Sequence, residues 1–236
     1  MLENVEPLRV FHYFENICAI PHGSGNTDGI SEFCVNFARE HGLEYKKDAL
    51  NNVIIKKAAT AGYENHPTVI LQGHLDMVCE KTADCDIDFK KDGLRLVLTG
   101  DMLSADGTTL GADDGIAVAI ILAVLEDEPA AHPPLEALFT TDEETGMYGA
   151  EGVDVSALSG ITLINLDSGE EGVLTVGCAG GAKADFKMPV EFCENTAPCV
   201  KITVSGLLGG HSGIDINKGR LNADTLMGRL LDGLTP

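Results

Sequence analysis

The sequence has few basic residues for its length: 16 lysines and arginines stand against 37 aspartates and glutamates in 236 residues, a formal net charge of -21. A surface of this sign repels phosphate backbones and anionic lipid headgroups, so we expect neither nucleic acid nor a membrane surface as a partner. Because 44% of the residues are apolar, the chain can bury a sizeable core. The composition predicts an acidic globular protein.

Paired cysteines and long apolar runs are also missing. The seven cysteines are an odd number without a C-x-x-C pair, which fits neither a disulfide framework nor a zinc ribbon. The first residues show no secretory signal pattern, and the longest apolar run, 116–125, is about half of what a bilayer span requires. We therefore expect a soluble cytoplasmic protein with reduced thiols.

Helical and strand patterns alternate along the first part of the chain. Apolar residues recur at helical spacing over 5–19 and 29–42, and a helix that is apolar on nearly every face is predicted over 111–128. Strand-like apolar or β-branched runs lie at 51–58, 67–78, 134–144 and 160–169. Buried strands alternating with helices predict an α/β fold, with a mostly parallel sheet and helices on both faces.

The pattern changes near residue 180. Residues 181–192 and 197–206 alternate like half-exposed strands, and an amphipathic helix is predicted around 219–234. We therefore predict a catalytic domain at 1–180 and the beginning of an α+β domain at 181–236. The second unit, at about 55 residues, is short for an independent domain, so we expect it to continue downstream.

Ionisable side chains follow the ends of the predicted strands. The residues that come directly after an apolar run are His74, Glu143, Glu144 and Asp167, and Asp113 and Asp114 open the buried helix. Because the carboxyl ends of parallel strands meet at one edge of a sheet, we expect these side chains to converge. Clustered carboxylates need a cation, and mixed nitrogen and oxygen ligands suit zinc, manganese or cobalt. The sequence predicts a metal site.

Spacing indicates roles within this site. Asp76 lies two residues after His74 on a strand, so it shares a face with the histidine and can accept its other ring N–H. Glu143 and Glu144 are adjacent, so one can bind metal while the other takes a proton from a metal-bound water. The spacing does not decide which glutamate does which.

Five ordered motifs carry a resemblance to a known family. They are GHLDMV at 73–78, GTTLGADDG at 107–115, TTDEETGM at 140–147, NLDSGEEG at 165–172 and GGHSG at 209–213. Together they resemble the zinc peptidase clan of carnosinases, aminoacylases and peptidase T, and the middle motifs are most similar to bacterial aminoacyl-histidine dipeptidases. The resemblance covers the chain from about residue 5 to its end.

The resemblance implies a function and a role for each motif residue. It implies hydrolysis of dipeptides by a water that two zinc ions activate, with Mn²⁺ or Co²⁺ as possible substitutes, in a homodimer formed through the second, lid domain. The implied metal ligands are His74 and Asp167 on one ion, Glu144 on the other and Asp113 bridging both. Asp76 behind His74 and Glu143 as general base would be the catalytic residues. His211 would reach the substrate carbonyl of the partner subunit.

Two departures from the family pattern matter. The family's last metal ligand is a histidine near the C-terminus of a longer chain, so we expect this chain alone to be inactive and one of its metal positions to be weak. Asp113 is followed by Asp114 where relatives commonly have asparagine, an isosteric change that we expect to be tolerated.

Other functions stay open. An N-acyl amino acid deacylase could use the same scaffold, and the chain could be a non-catalytic metal-binding fragment. A calcium module is disfavoured because there is no D-x-D-x-D-G loop and a histidine is a poor calcium ligand.

Overall fold

The computed structural model describes residues 1–126, 130–169, 171–178, 180, 182, 184–194, 196–210 and 215–234. The chain divides into two units, Met1–Cys178 and Ala179–Pro236. All seven cysteines are free thiols. Among the described residues, no helix combines the length and apolarity needed to cross a membrane.

Three long helices form where the sequence groups its apolar residues. Helix α1 spans Leu8–Cys18 and α2 spans Asp28–Glu40, and each buries one apolar face. Helix α3 spans Ala112–Glu126 and is buried over most of its circumference, although Ile120 and Val124 are 36% and 40% exposed. These helices match the three segments that the periodicity predicts.

A five-stranded sheet lies at the centre of the first unit. The strands of the unit are β1 Glu44–Lys47, β2 Val53–Lys57, β3 Val69–His74, β4 Leu96–Thr99, β5 Met102–Ala105, β6 Leu135–Thr140 and β7 Thr162–Asn165. Strands β4 and β5 form a separate hairpin, and the main sheet has the order β1-β2-β6-β3-β7. Strand β3 is parallel to β6 and β7, whereas β2 is antiparallel to β1 and β6.

The sheet is therefore mixed, and the prediction of a mostly parallel sheet was wrong for its β1–β2 side. The reason is the short connection between those two strands, which can only join antiparallel neighbours. The Asp48 carboxylate accepts backbone N–H bonds from Leu50 and Asn52, both at 2.9 Å, and fixes this turn. Strand β2 then pairs with β6 in the opposite direction.

The two faces of the sheet are covered differently. All three long helices pack on one face, where Val53, Ala137 and Phe139 belong to the main core. Neighbouring positions such as Ile70 point to the other face and contact Val153, Ala157 and Leu158. In the described part of the first unit, the residues packed on that second face come from the segment that follows the short helix α4, Tyr148–Gly152, and contains a 3₁₀ turn at Val155–Ala157. The prediction of helices on both faces therefore holds for one face. The other face is covered by short elements.

The second unit forms less regular structure than its sequence predicts. Helix α5 spans Ala223–Asp232, and the Asn222 side chain caps it by accepting the Thr225 N–H at 2.8 Å. The described residues of 181–192 and 197–206 contain no strand. Phe186 and Phe192 are 94% and 97% exposed. An alternating segment gains stability only by burying one face against partners, and these side chains have none within the described residues.

Candidate metal centre

The structure brings the strand-end residues together at one edge of the sheet. His74 is the last residue of β3 and lies opposite Thr140, the last residue of β6. The chain continues from β6 into Glu143 and Glu144, and Asp167 follows β7 by two residues. The parallel β6-β3-β7 part of the sheet therefore carries all four side chains to the same carboxyl edge.

Three overlapping groups of these side chains could each hold a cation. They are His74 with Asp113 and Glu144; His74 with Glu143 and Asp167; and Asp113 with Asp114 and Asp167. Within each group, one ligand atom per residue lies within 4.8 Å of the others. The His74 Nε2 atom is 3.1 Å from Asp113 Oδ1, 3.9 Å from Glu143 Oε2 and 4.0 Å from Asp167 Oδ2. The histidine is common to two groups and lies at the centre of the cluster.

His74 is held so that its Nε2 atom faces the carboxylates. The side chain is 1% exposed. Its Nδ1 atom lies 2.9 Å from the backbone carbonyl of Asp76 and 3.5 Å from the Asp76 carboxylate. The nearer carbonyl is the hydrogen-bond acceptor, because 3.5 Å is long for such a bond. A ring N–H donated from Nδ1 leaves the Nε2 lone pair for a metal. The predicted partner residue is Asp76, but the accepting atom is its backbone oxygen.

The Asp76 carboxylate instead links two segments of the site. It is fully buried, and it accepts the backbone N–H of Glu143 at 3.0 Å and of Glu144 at 3.3 Å. Ser24 Oγ donates to the same carboxylate at 2.7 Å. Burial raises the pKa of Asp76, but the contacts with His74, Ser24 and Glu143 outweigh it and hold the pKa below its ordinary value. Asp76 stays ionised and orients the glutamate doublet.

Asp114 lies at the sheet edge, where the sequence predicts it beside Asp113, although the sequence assigns it no role. It is 2% exposed, and its Oδ2 atom accepts the backbone N–H of His74 at 3.1 Å. Gly73 makes room for this contact, since a Cβ at that position would lie 2.8 Å from Asp114 Oδ2. The sequence predicts that Asp114 faces this edge, but it gives no signal for the contact with His74.

The charges of the site are unbalanced without a cation. Burial raises the pKa of Asp114 to about 7, and the Asp113 and Asp167 carboxylates add to this rise against the opposing effect of His74. Burial also raises the pKa of Glu143, Glu144 and Asp167.

The histidine responds in the opposite way. Burial lowers the pKa of His74, but the nearby Asp76 side chain and the carboxylates of Asp114 and Asp167 raise it to about 10. Without a cation, the surrounding carboxylates therefore favour the protonated imidazole. A divalent cation would supply the positive charge instead, and the mixture of imidazole and carboxylate donors fits zinc, manganese or cobalt.

One predicted site residue is not placed. His211 lies outside the residues that the structure describes, so its role in substrate binding stays a prediction.

Comparisons with known proteins agree with the motif pattern. The chain is 44% identical, over 98% of its length, to the cytosol non-specific dipeptidase of Escherichia coli (strain K12), of which it covers 48%. The crystal structure of an aminoacylhistidine dipeptidase from Vibrio alginolyticus matches 99% of the chain and is covered to 48%, with a TM-score of 0.75 and 38% identity. The chain is a homologue of these dipeptidases. The resemblance that the motifs predict is thereby confirmed.

A shorter match extends the relationship. Peptidase T of Salmonella paratyphi C (strain RKS4594) is 36% identical over 99 residues, which are 40% of this chain and 24% of that protein. No family model matches the chain. The chain spans about half the length of the dipeptidases it matches.

Proposed function

We propose that this chain forms the metal-binding part of a zinc-dependent dipeptidase that acts on short peptides of the aminoacyl-histidine type. The observation that supports this most is the buried His74 with carboxylates around its Nε2 atom, at the sheet edge of a dipeptidase homologue. Zinc is the proposed metal, and Mn²⁺ or Co²⁺ could replace it because their ligand preferences overlap.

The proposed ligands are those that the family resemblance implies, and the clustering of their side chains supports them. His74 and Asp167 would hold one ion, Glu144 would hold a second, and Asp113 would contact both. When bound, the metals would lower the pKa of a coordinated water and polarise the substrate carbonyl. Asp76 would keep the His74 ring in the orientation that presents Nε2.

Glu143 is the proposed general base. Its side chain is 34% exposed, so it lies at the boundary between the buried histidine and solvent, and its Oε2 atom is 3.9 Å from His74 Nε2. Burial raises its pKa above the ordinary value for a glutamate, which brings it closer to neutrality and favours proton acceptance. In this role Glu143 accepts a proton from the attacking water and passes it to the leaving amine.

The whole protein is proposed to be a cytoplasmic homodimer formed through its lid domain, residues 181–236 and their continuation, with 1–180 as the catalytic domain. The E. coli relative is named a cytosol dipeptidase, which supports the location. His211 is proposed to contact the substrate carbonyl of the partner subunit.

Zinc binding can be tested on this chain itself. The metal-free protein should take up zinc in a competition titration against a chromophoric chelator, and His74→Ala should abolish tight uptake because it removes the imidazole ligand of the first ion. Retention of zinc by His74→Ala at unchanged affinity would show that the metal binds elsewhere.

Substrate class can be tested with a chimera in which this chain replaces the aligned part of the E. coli dipeptidase. The chimera should hydrolyse an aminoacyl-histidine dipeptide, lose activity with a chelator and regain it with zinc. An N-acetyl amino acid should be hydrolysed far more slowly. Faster hydrolysis of the N-acyl substrate would favour the deacylase alternative, and zinc binding without hydrolysis of either would favour a non-catalytic role.

The cross-subunit role of His211 can be tested with the same chimera. A Glu143→Ala subunit and a His211→Ala subunit should each be inactive, but their heterodimer would contain one site assembled from the two unaltered residues. Mixing and re-equilibrating the two variants should restore part of the dipeptidase activity. If heterodimers confirmed by mass are no faster than either parent, His211 does not act across the subunit interface.

A further inference from the structure

The connection between α1 and α2 runs beside the metal-site edge of the sheet. Gly23 forms a parallel bridge with Met77, just after the His74–Asp76 segment, and the His22 carbonyl accepts the Met77 N–H at 3.2 Å. A Cβ at Gly23 would lie 2.4 Å from Cys79 Sγ, so the approach is too close for a side chain there. This connection, residues 22–25, is called the bracing loop below.

The bracing loop contacts both segments that carry the proposed catalytic residues. Ser24 Oγ donates to Asp76 Oδ2 at 2.7 Å, and the Gly25 N–H donates to Asp142 Oδ1 at 2.6 Å. Asp76 belongs to the segment after β3, and Asp142 immediately precedes the glutamate doublet after β6. Two consecutive loop residues therefore connect the ends of two strands that carry the site.

The glutamate doublet depends on these contacts because regular structure does not fix it. Strand β6 ends at Thr140, and the backbone N–H groups of Glu143 and Glu144 are held by the Asp76 carboxylate. Asp142 has a φ of 53°, a left-handed conformation in which aspartate and asparagine are several-fold enriched over other side chains. Its carboxylate receives the loop N–H, and this bond holds the turn in place.

We propose that the bracing loop is a positioning device for the metal site. Its positioning residues are Ser24 in the loop and Asp142, which the loop contacts through Gly25. The loop holds the Asp76 carboxylate and the turn before Glu143 in one fixed arrangement. In this arrangement the imidazole of His74 and the glutamate side chains are set before a metal arrives. The expected effect on metal binding rests on the proposed function, but the positioning itself can be measured without metal.

The metal-free measurement is amide hydrogen exchange at Glu143 and Glu144. Ser24→Ala removes the shortest hydrogen bond to Asp76 and should raise the exchange rates of these two amides about tenfold or more, because their acceptor is then less constrained. Ser24→Thr keeps the hydroxyl and should restore slow exchange. The matched control is Ser156→Ala, which removes a comparable bond of 2.6 Å from Ser156 Oγ to Asp154 far from the site. It should leave both rates unchanged.

The metal-dependent measurement is zinc affinity in the same chain. Loss of a hydrogen bond that orients ligand residues typically weakens metal binding about 10- to 100-fold, and we expect this loss for Ser24→Ala and recovery in Ser24→Thr. Asp142→Ala should show a similar loss, whereas Asp142→Asn keeps an acceptor and tolerates the left-handed conformation. The visible spectrum of bound Co²⁺ should also change in Ser24→Ala and return in Ser24→Thr.

The outcomes separate the two hypotheses. Unchanged exchange at Glu143 and Glu144 in Ser24→Ala would overturn the positioning role, whether or not zinc binds. Faster exchange in a chain that binds no zinc would keep the positioning role and refute the metal-site proposal instead. If exchange is faster but zinc affinity stays within about twofold of the unaltered chain, the loop does not position metal ligands, and the inference fails.

Discussion

The geometry does not decide which glutamate of the doublet is the metal ligand and which is the base, but a pair of substitutions can. Glu144 groups with His74 and Asp113, whereas Glu143 groups with His74 and Asp167, so each glutamate can reach a cation position. Burial raises the pKa of both side chains, and the pKa direction therefore does not distinguish a ligand from a base. Replacing each with glutamine removes the charge, keeps the volume and leaves the backbone N–H bonds to Asp76 intact.

The expected magnitude follows from the charge that is removed. Two unit charges about 4 Å apart interact with about 1 kcal/mol in water and with about 4 kcal/mol at an effective dielectric constant of about 20. Glu144 is exposed, so a value of about 2 to 3 kcal/mol is appropriate, or roughly 100-fold in zinc affinity. We expect Glu144→Gln to show this loss. Glu143→Gln should stay within about tenfold in zinc affinity and lower turnover about 10²- to 10⁴-fold.

Two assays decide between the roles. Zinc affinity is measured on this chain by chelator competition, and turnover on the chimera at saturating zinc. Thermal melting of the metal-free variants is the control, and the melting temperature should be no lower than that of the unaltered chain, because neither substitution removes a described backbone contact and each removes a negative charge from a site that lacks a cation. If Glu143→Gln loses zinc while Glu144→Gln keeps it, the assignment of ligand and base is reversed.

Two further predictions concern stability. Burial raises the pKa of Glu136, but N–H bonds from Gly160 and Ser159 and contact with Lys56 hold it below its ordinary value. Glu136→Gln should therefore cost about 1 to 3 kcal/mol in urea unfolding at pH 7, and the difference should shrink as pH falls below about 4.5, where the stabilisation by the ionised form is lost. Equal loss at pH 7 and pH 3 would contradict this. Gly73→Ala should displace the Asp114 side chain and lower the melting temperature of the metal-free chain. An unchanged melting temperature would show that the space between Gly73 and Asp114 can accommodate a methyl group.

The sequence predicts the elements of the first unit well because their signals are local. Helices α1 and α2 and the strands that precede His74, Glu143 and Asp167 each follow from periodicity or a short apolar run. Strand direction does not follow from the apolar pattern of a strand. For β1 and β2 it is determined by the turn at Asp48 between them. The strands predicted after residue 180 do not form among the described residues, since alternation becomes a strand only beside a partner.

The sequence also predicts the candidate site in part: it identifies candidate ligands but not the residues that hold them in place. Ligand candidates such as His74 can be recognised because each follows an apolar run at a strand end. Ser24 and the partner of Asp142 give no such signal, since the hydrogen bonds join residues 52 and 117 positions apart. The burial of Asp114 also follows from packing against Gly73 and is invisible in the sequence.

The exposed fraction of the side chains in the site rises from His74 to Asp113, and this gradient bears on how the proposed site would receive a substrate. The His74 side chain is 1% exposed, Glu143 and Asp167 are each 34% exposed, and Asp113 is 73% exposed. The histidine is therefore fixed in a low-dielectric interior by the sheet and Asp76, while the side chain proposed to contact both ions faces solvent. Under the proposed function, a peptide would approach from the Asp113 side, because the cluster is most open to solvent there. Any element that closes the site must then cover Asp113 and Glu144, and covering them would strengthen their attraction to a cation by removing water from the least buried ligands.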